Sequence, residues 1–336
     1  MKLDPAIIRA LSISPTNTTV ASHGGSGFTS TSKITSKLPD GSEKCYFLKI
    51  ANEAESELMF AGEHASLNAL HTIPSLCPKS FAHGKLEKSA GHFLVTDFLE
   101  MGGISRLSSS RDSEEKGSGL SLAQKLAKLH NTPAQVPEGH DRPMFGFPVP
   151  TCCGDTVQEN DWTESWADFY ANHRLLAILK KSERTNGKDN PLRAMVEKTA
   201  REVVPRLIGD SHLNNGKGVT PVVVHGDLWS GNKGRGRIGG QGAVEDVVFD
   251  PSACYAHGEY ELGIMRMFGG FGGNFLKEYH QICPKTEPVG EYEDRVSLYE
   301  LYHHLNHHAI FGGGYKSGAM SIMRELTRKF GAKSEI

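Results

Sequence analysis

With 336 residues, 38% of them hydrophobic and 23% charged, the chain is long enough to bury a substantial core and exceeds one typical domain. Its formal net charge of −2 predicts neither a nucleic-acid-binding field nor a polybasic membrane patch, and no apolar run approaches the ~20 residues of a membrane-spanning helix. Met1-Lys-Leu-Asp4 sets an acid where a signal peptide turns apolar. Six sparse cysteines without a Cys-x-x-Cys pair fit a reducing, cytoplasmic setting.

The first informative segment is His23-Gly-Gly-Ser-Gly-Phe28. Glycines let a backbone approach phosphates, so Gly24, Gly25, Ser26 and Gly27 are candidates for a phosphate-covering loop. A plain turn between strands fits the same composition, and the segment is not a Walker motif. Lys44–Ile50 alternates like a strand and carries Lys49 between Leu48 and Ile50. A lysine set in an apolar strand needs partners for its charge; a phosphate and a helix glutamate would serve. Residues 55–70 have helical apolar spacing, and Glu63 is the chosen partner. Glu53, Glu55 and Glu57 are rivals nearer the helix start, where acids favour the helix dipole.

Residues 92–96 read as another strand. The stretch 102–119 is polar and low in complexity, a surface loop. Helical patterns follow at 121–129, 162–179 and 192–207, with polar loops at 181–190 and 209–218. The tail from Glu291 to Lys329 is helical apart from Phe311-Gly-Gly-Gly-Tyr315. On it, His303, His304, His307 and His308 have i,i+4 spacing that could grip zinc, but no H-E-x-x-H pattern exists, so packing or substrate contact is the better reading.

The strongest signal is His225-Gly-Asp-Leu-Trp-Ser-Gly-Asn232, delivered by the apolar strand Pro221–Val224. Asp-x4-Asn is the spacing of a kinase catalytic loop: a carboxylate to deprotonate an attacking hydroxyl, then an oxygen ligand for Mg²⁺. Asp227 is the candidate base and Asn232 a candidate metal ligand. A second ligand, Asp250, closes the short strand Val247–Phe249 before Pro251. The Gly-rich stretch 233–242 between them reads as a hairpin turn or flexible insertion.

These segments resemble the fructosamine/ketosamine kinase family. The resemblance is carried by Asp227-Leu-Trp-Ser-Gly-Asn232 and Phe249-Asp-Pro251, then by His257-Gly-Glu-Tyr-Glu-Leu262, Met267-Phe-Gly-Gly-Phe271 and Leu305-Asn-His307. Upstream it runs through Gly62–Leu67, Leu126–His130, Phe145-Gly146 and Trp162–Trp166. Trp229 discriminates against antibiotic and choline kinases. Ala256 and Ser252 depart from the family's usual residues without touching the proposed metal ligands.

The resemblance implies an α+β, bilobal, protein-kinase-like fold, with a small lobe over 1–100 and a larger, mainly helical lobe over 101–336. It implies ATP and Mg²⁺ as cofactors and transfer of phosphate to the 3-hydroxyl of a fructosamine or ribulosamine on a glycated lysine. The sugar 3-phosphate then decomposes spontaneously and frees the amine, a repair of protein glycation. Adenine would be held by backbone around Asp97 and Leu99. Trp229 would face the sugar and its secondary ammonium, or else be a wall residue, while His257 and Glu259 would line the substrate pocket or brace the loop. Two alternatives stand beside this reading: a small-molecule kinase of the aminoglycoside/choline type, and an inactive kinase-like scaffold.

Overall fold

The computed structural model describes residues 2–26, 29–102 and 119–332. Gly27 and most of the expected 102–119 loop therefore lie outside the described residues. The architecture is α+β, with every paired strand antiparallel. The strands are β1 (Thr18–Ser26), β2 (Thr29–Lys37), β3 (Glu43–Ala51), β4 (Ser80–Lys85), β5 (His92–Asp97) and β6 (Leu99–Met101). Then follow β7 (Thr151–Cys153), β8 (Thr156–Gln158), β9 (Val222–Val224), β10 (Lys233–Ile238), β11 (Glu245–Val248) and β12 (Cys254–Ala256).

Two compact units emerge. One comprises Met1–Leu126 and Gly231–Pro251; the other comprises Ala127–Ser230 and Ser252–Ile336. The expected boundary near residue 100 thus moves on to 126, and the hairpin at 231–251 returns to the first unit.

In the first unit a five-stranded sheet runs β1-β2-β3-β5-β4. One face carries Ile34, Tyr46, Leu48, Phe93 and Val95, packed with Ile7 of the short helix Pro5–Leu11. The other face carries Ala51 and Leu94, packed with Phe60 of the helix Ser56–Leu70. Because side chains alternate along a strand, Lys49 shares the face of Ala51, not that of Leu48. On the helix, Phe60, Glu63, Leu67 and Leu70 fall at spacings of three, four and three, one stripe turned to the sheet. The sequence pattern alone therefore sends Lys49 and Glu63 to the same layer.

A second sheet of this unit, β11-β10-β6, corrects the reading of 233–242. Lys233–Ile238 is a central strand, not a turn or insertion. Its glycines are needed for close approach: a Cβ on Gly236 would sit 2.7 Å from the Glu100 carbonyl oxygen, and one on Gly234 would strike the Met101 methyl. Only the residues from Gly239 onward make the turn.

The second unit is mainly helical, with β9-β12 and β7-β8 as small ribbons. Its long helix Tyr292–Phe311 is buried round most of its circumference, including Arg295, Tyr299, Tyr302 and Asn306, as a central helix must be. The helix expected from Trp162 begins instead at Trp166, capped by Ser165, whose hydroxyl accepts the Asp168 N–H. Thr163 is occupied upstream, exchanging backbone hydrogen bonds with Phe145. The helix then continues through a π-segment, Tyr170–Leu176, to Asn186. Trp166 donates its indole N–H to the Tyr299 hydroxyl at 2.9 Å in an aromatic core shared with Tyr170 and Tyr260. No described helix is long and apolar enough to cross a membrane.

One buried ion pair tests the packing of the first unit. Lys125 Nζ donates to Glu245 at 2.8 Å and to the carbonyls of Ser75 and Asp246 at 2.9 and 3.0 Å. Lys125→Met should cost about 3–5 kcal/mol in denaturant unfolding, because it leaves the Glu245 carboxylate without its ammonium. Adding Glu245→Leu should recover most of that loss.

Candidate active site

The first unit contains a cavity of about 390 Å³ lined by Lys49, Glu63, Thr96, Asp97, Leu99 and Asp250, among others. Lys49 Nζ lies 2.7 Å from Glu63 Oε1 and 2.7 Å from Asp250 Oδ1. Burial works against the ammonium, but the two carboxylates outweigh it, and the Lys49 pKa stands raised. Burial pushes the Glu63 carboxyl up; Lys49 opposes that rise, while the Asp250 charge adds to it. One cation between two anions leaves an excess of negative charge, which a divalent cation would relieve.

Asn232 and Asp250 reach one place through the hairpin register. Lys233 pairs with Val248, so Asn232 stands beside Phe249, whose N–H donates to the Asn232 carbonyl at 3.1 Å. Asp250 follows immediately. Its backbone is left-handed, φ +54°, a conformation non-glycine residues rarely adopt and one that concentrates at functional positions. An amide, an exposed carboxylate and a neighbouring acid are hard oxygen donors that fit Mg²⁺, which needs one or two protein ligands beside phosphates. Among the described residues no group of three or more His, Cys, Asp or Glu could hold a metal ion unaided.

Of the glycine segment, Gly24, Gly25 and Ser26 lie in β1, where the pairing with β2 slips between Ser22 and Gly25. Gly24 takes φ +87°, which glycine alone adopts freely, and a Cβ there would meet nothing. At the other end of the cavity, Asp97 closes β5. Burial raises its carboxyl pKa, although the Lys79 N–H donates to it at 3.1 Å. The peptide between Asp97 and Leu99 is already engaged: Phe98 N–H donates to Cys45 O and Phe98 O accepts from Gly239.

The loop that carries Asp227 begins in the second unit. β9 delivers His225, and Ser252 N–H donates back to its carbonyl at 2.9 Å. Gly226 adopts φ +80°, and a Cβ there would collide with the Ser252 carbonyl oxygen, so glycine is obligatory between His225 and Asp227. Asp227 N–H donates to His225 Nδ1 at 3.3 Å and Trp229 N–H to the Asp227 carbonyl at 3.1 Å. The Asp227 carboxylate also receives the Cys153 thiol. Burial first, then the Asp227 charge, push that thiol's pKa well up, so it stays a donor. Trp229 is 38% exposed, with its ring 5.7 Å from that of Phe268.

His257 and Glu259 are each tied to buried neighbours. His257 is buried between the hydroxyls of Tyr299 and Thr286, both at 2.8 Å. Glu259 is held by Arg295 at 2.7 and 3.1 Å and by the Thr286 N–H at 2.8 Å. Both border a cavity of about 280 Å³ whose lining includes neither Asp227 nor Trp229. The brace that sequence reasoning missed is Glu261. Its buried carboxylate accepts the backbone N–H of His225 and, at 3.0 Å, that of Gly226. Burial raises its pKa, but His130, His225 and those amides bring it below the usual value. The signal was present, an acid inside an apolar helix start, but its partners lie 35 and 36 residues upstream.

The fructosamine kinase family pattern matches residues 11–329. The ketosamine-3-kinase of Mus musculus is 34% identical over 289 residues, covering 84% of this chain and 88% of that protein. The chloroplastic protein-ribulosamine 3-kinase of Oryza sativa subsp. indica is 35% identical over 272 residues, 80% of this chain and 69% of that protein. A solved Thermobifida fusca structure assigned as a fructosamine-3-kinase covers 97% of this chain and 99% of its own, with TM-score 0.69 at 21% identity. That likeness concerns the fold, which is protein-kinase-like.

Burial lowers the His257 pKa to about 4. As pH falls, the unfolded chain takes up this proton near 6.5, before the folded one does. The His257 contribution is therefore complete above about pH 6.5 and is lost progressively as pH falls towards 4, by up to about 1.4 kcal/mol per pH unit. Glu259 and Glu261, with lowered pKa values, contribute above the ordinary glutamate range and are lost below it. His257→Gln should lessen the slope of the stability profile between pH 6.5 and 4, where His303 also contributes, as followed by denaturant unfolding at each pH.

Proposed function

The chain belongs to the fructosamine kinase family and is a phosphotransferase acting on a hydroxyl group; we propose that its acceptor is the 3-hydroxyl of a ketosamine on a glycated lysine and its donor ATP. The observation that carries this reading is the Lys49 ammonium held 2.7 Å from both Glu63 and Asp250 within one cavity. A lysine so placed is a fixed point charge for phosphate oxygens, and Glu63 sets its position. The glycine segment supplies backbone N–H groups to the same phosphates, and the backbone around Asp97 and Leu99 is the proposed seat of the adenine.

Asn232 and Asp250 are the proposed Mg²⁺ ligands. Bound there, Mg²⁺ would neutralise charge that develops on the phosphates. Asp227 accepts the proton of the sugar hydroxyl. The Cys153 thiol helps fix the direction of that carboxylate, and Glu261 fixes the start of the loop. Positioning and electrostatics supply most of the rate. Trp229, partly exposed two residues from Asp227, presents an aromatic face to the sugar. The sugar 3-phosphate then decomposes spontaneously and the amine is freed, which is a deglycation activity. The cysteine pattern suits its operation in the cytoplasm.

The decisive assay is Mg²⁺-ATP turnover with ribulose-lysine and fructose-lysine side by side, with the product mapped by phosphorus NMR. A 3-phosphate from either sugar supports the reading; no turnover of either, with ATP still bound, sinks it. Asp227→Asn should keep ATP affinity and lose roughly 10²–10⁴ in kcat, the usual worth of a positioned base. Asp250→Ala should instead lose the Mg²⁺-dependent part of nucleotide affinity by titration calorimetry. Unchanged affinity would remove Asp250 from the metal site.

A further inference from the structure

The hairpin β7-β8 carries the thiol that meets Asp227. Its turn has two residues, Gly154-Asp155, and the glycine takes φ +63°, as such turns favour. Cys153 and Thr156 are paired directly across it, so their side chains leave the ribbon on one face. The hairpin runs along the helix Tyr292–Phe311, where Tyr302, Asn306 and Ile310 form a stripe with a spacing of four. Gln158 donates to the Tyr302 hydroxyl at 2.7 Å, and a Cβ on Gly154 would stand 3.1 Å from Ile310 Cδ1. Asn306, in the middle of the stripe, is buried and bonds to both Cys153 and Thr156.

The direction of these hydrogen bonds is set by a group that can only donate. Lys181 Nζ, on the helix Ala177–Asn186, donates to Thr156 Oγ1 at 2.9 Å. An ammonium has no lone pair, so the Thr156 hydroxyl accepts from it and gives its single hydrogen to Asn306 Oδ1. The Asn306 amide is thereby oriented. Its NH2 faces the Cys153 carbonyl at 3.2 Å and Cys153 Sγ at 3.4 Å. A sulfur that accepts on one side keeps its hydrogen for the other, where the Asp227 carboxylate can only accept. In a buried row, each bond also polarises the next.

We infer that Lys181, Thr156 and Asn306 form a row of fixed polarity that aims the Cys153 thiol hydrogen at Asp227, which makes them positioning residues for phosphoryl transfer. All three act through Cys153, and no proton travels along the row. The inference rests on the reading of Asp227 as the base and adds to it the residues that orient that base. Lys181 also pairs with the exposed Asp155, and this pair supplies a control: removing the acid breaks the pair but leaves the ammonium on Thr156.

The test measures kcat and KM with Mg²⁺-ATP and the faster of ribulose-lysine and fructose-lysine, each variant of the full chain being checked by thermal melting. Cys153→Ala should lower kcat about three- to tenfold, the worth of one modest hydrogen bond, with both KM values unchanged. Cys153→Ser restores a donor and should recover most of that loss. Lys181→Met should lower kcat about two- to fivefold, whereas Asp155→Ala should not. In the Cys153→Ala background, Lys181→Met should cost nothing further in kcat, because its path to Asp227 is already cut. If Lys181→Met does not fold, Thr156→Val cuts the same row and carries the same expectations. Unchanged kcat in either single variant, additive losses in the double variant, or an equal loss in Asp155→Ala overturns the row and leaves the base reading standing. Substantial turnover by Asp227→Asn, or none by the unmodified chain, overturns the reading on which the row rests.

Discussion

The first unit depends on keeping one ammonium charged inside an apolar layer. Lys49 sits on a strand whose neighbours are apolar, and burying its charge unpaired would cost several kcal/mol. Glu63 and Asp250 meet that demand from two different directions: a helix stripe and the end of a hairpin. Neither acid is comfortable there. Burial already disfavours the Glu63 carboxylate, and the second anion adds to it. The cluster thus holds together through the ammonium while remaining short of positive charge, the electrostatic condition a metal–phosphate ligand satisfies.

In the second unit the corresponding constraint is the buried Glu261 carboxylate. It takes the two backbone amides that open the catalytic loop, while Gly226 permits the close pass beneath Ser252. His257 and Glu259 belong to the same supporting layer, tied to Tyr299, Thr286 and Arg295.

Much of this was legible along the chain because the periodicities were undisturbed. The odd lysine in β3 and Glu63 in the stripe of Phe60, Leu67 and Leu70 could be placed on facing layers from spacing alone. Asn232 and Asp250 likewise come to neighbouring positions through a short hairpin. The failures share a cause: partners distant in sequence. Glycines in 233–242 read as a turn, but Met101 and Glu100 of β6 require them for contact across a central strand. The helix start at Trp162 looked continuous until Thr163 was claimed by Phe145. Glu261 and the pair His257 and Glu259 differ only in which buried groups they meet, and no local pattern records that.

Asp250 has a consequence for anyone who alters this chain. Its left-handed backbone weighs against the folded state, while its carboxylate, 2.7 Å from Lys49, is one of the partners that the buried ammonium needs. Asparagine, which visits left-handed backbone readily, relaxes the first and keeps an oxygen for the Lys49 ammonium. Selection for heat resistance alone would therefore reward changes at this position and accumulate well-behaved proteins that have discarded a proposed metal ligand. Here durability and chemistry compete for one side chain, and a library of variants needs an activity gate at this residue before any melting temperature is ranked.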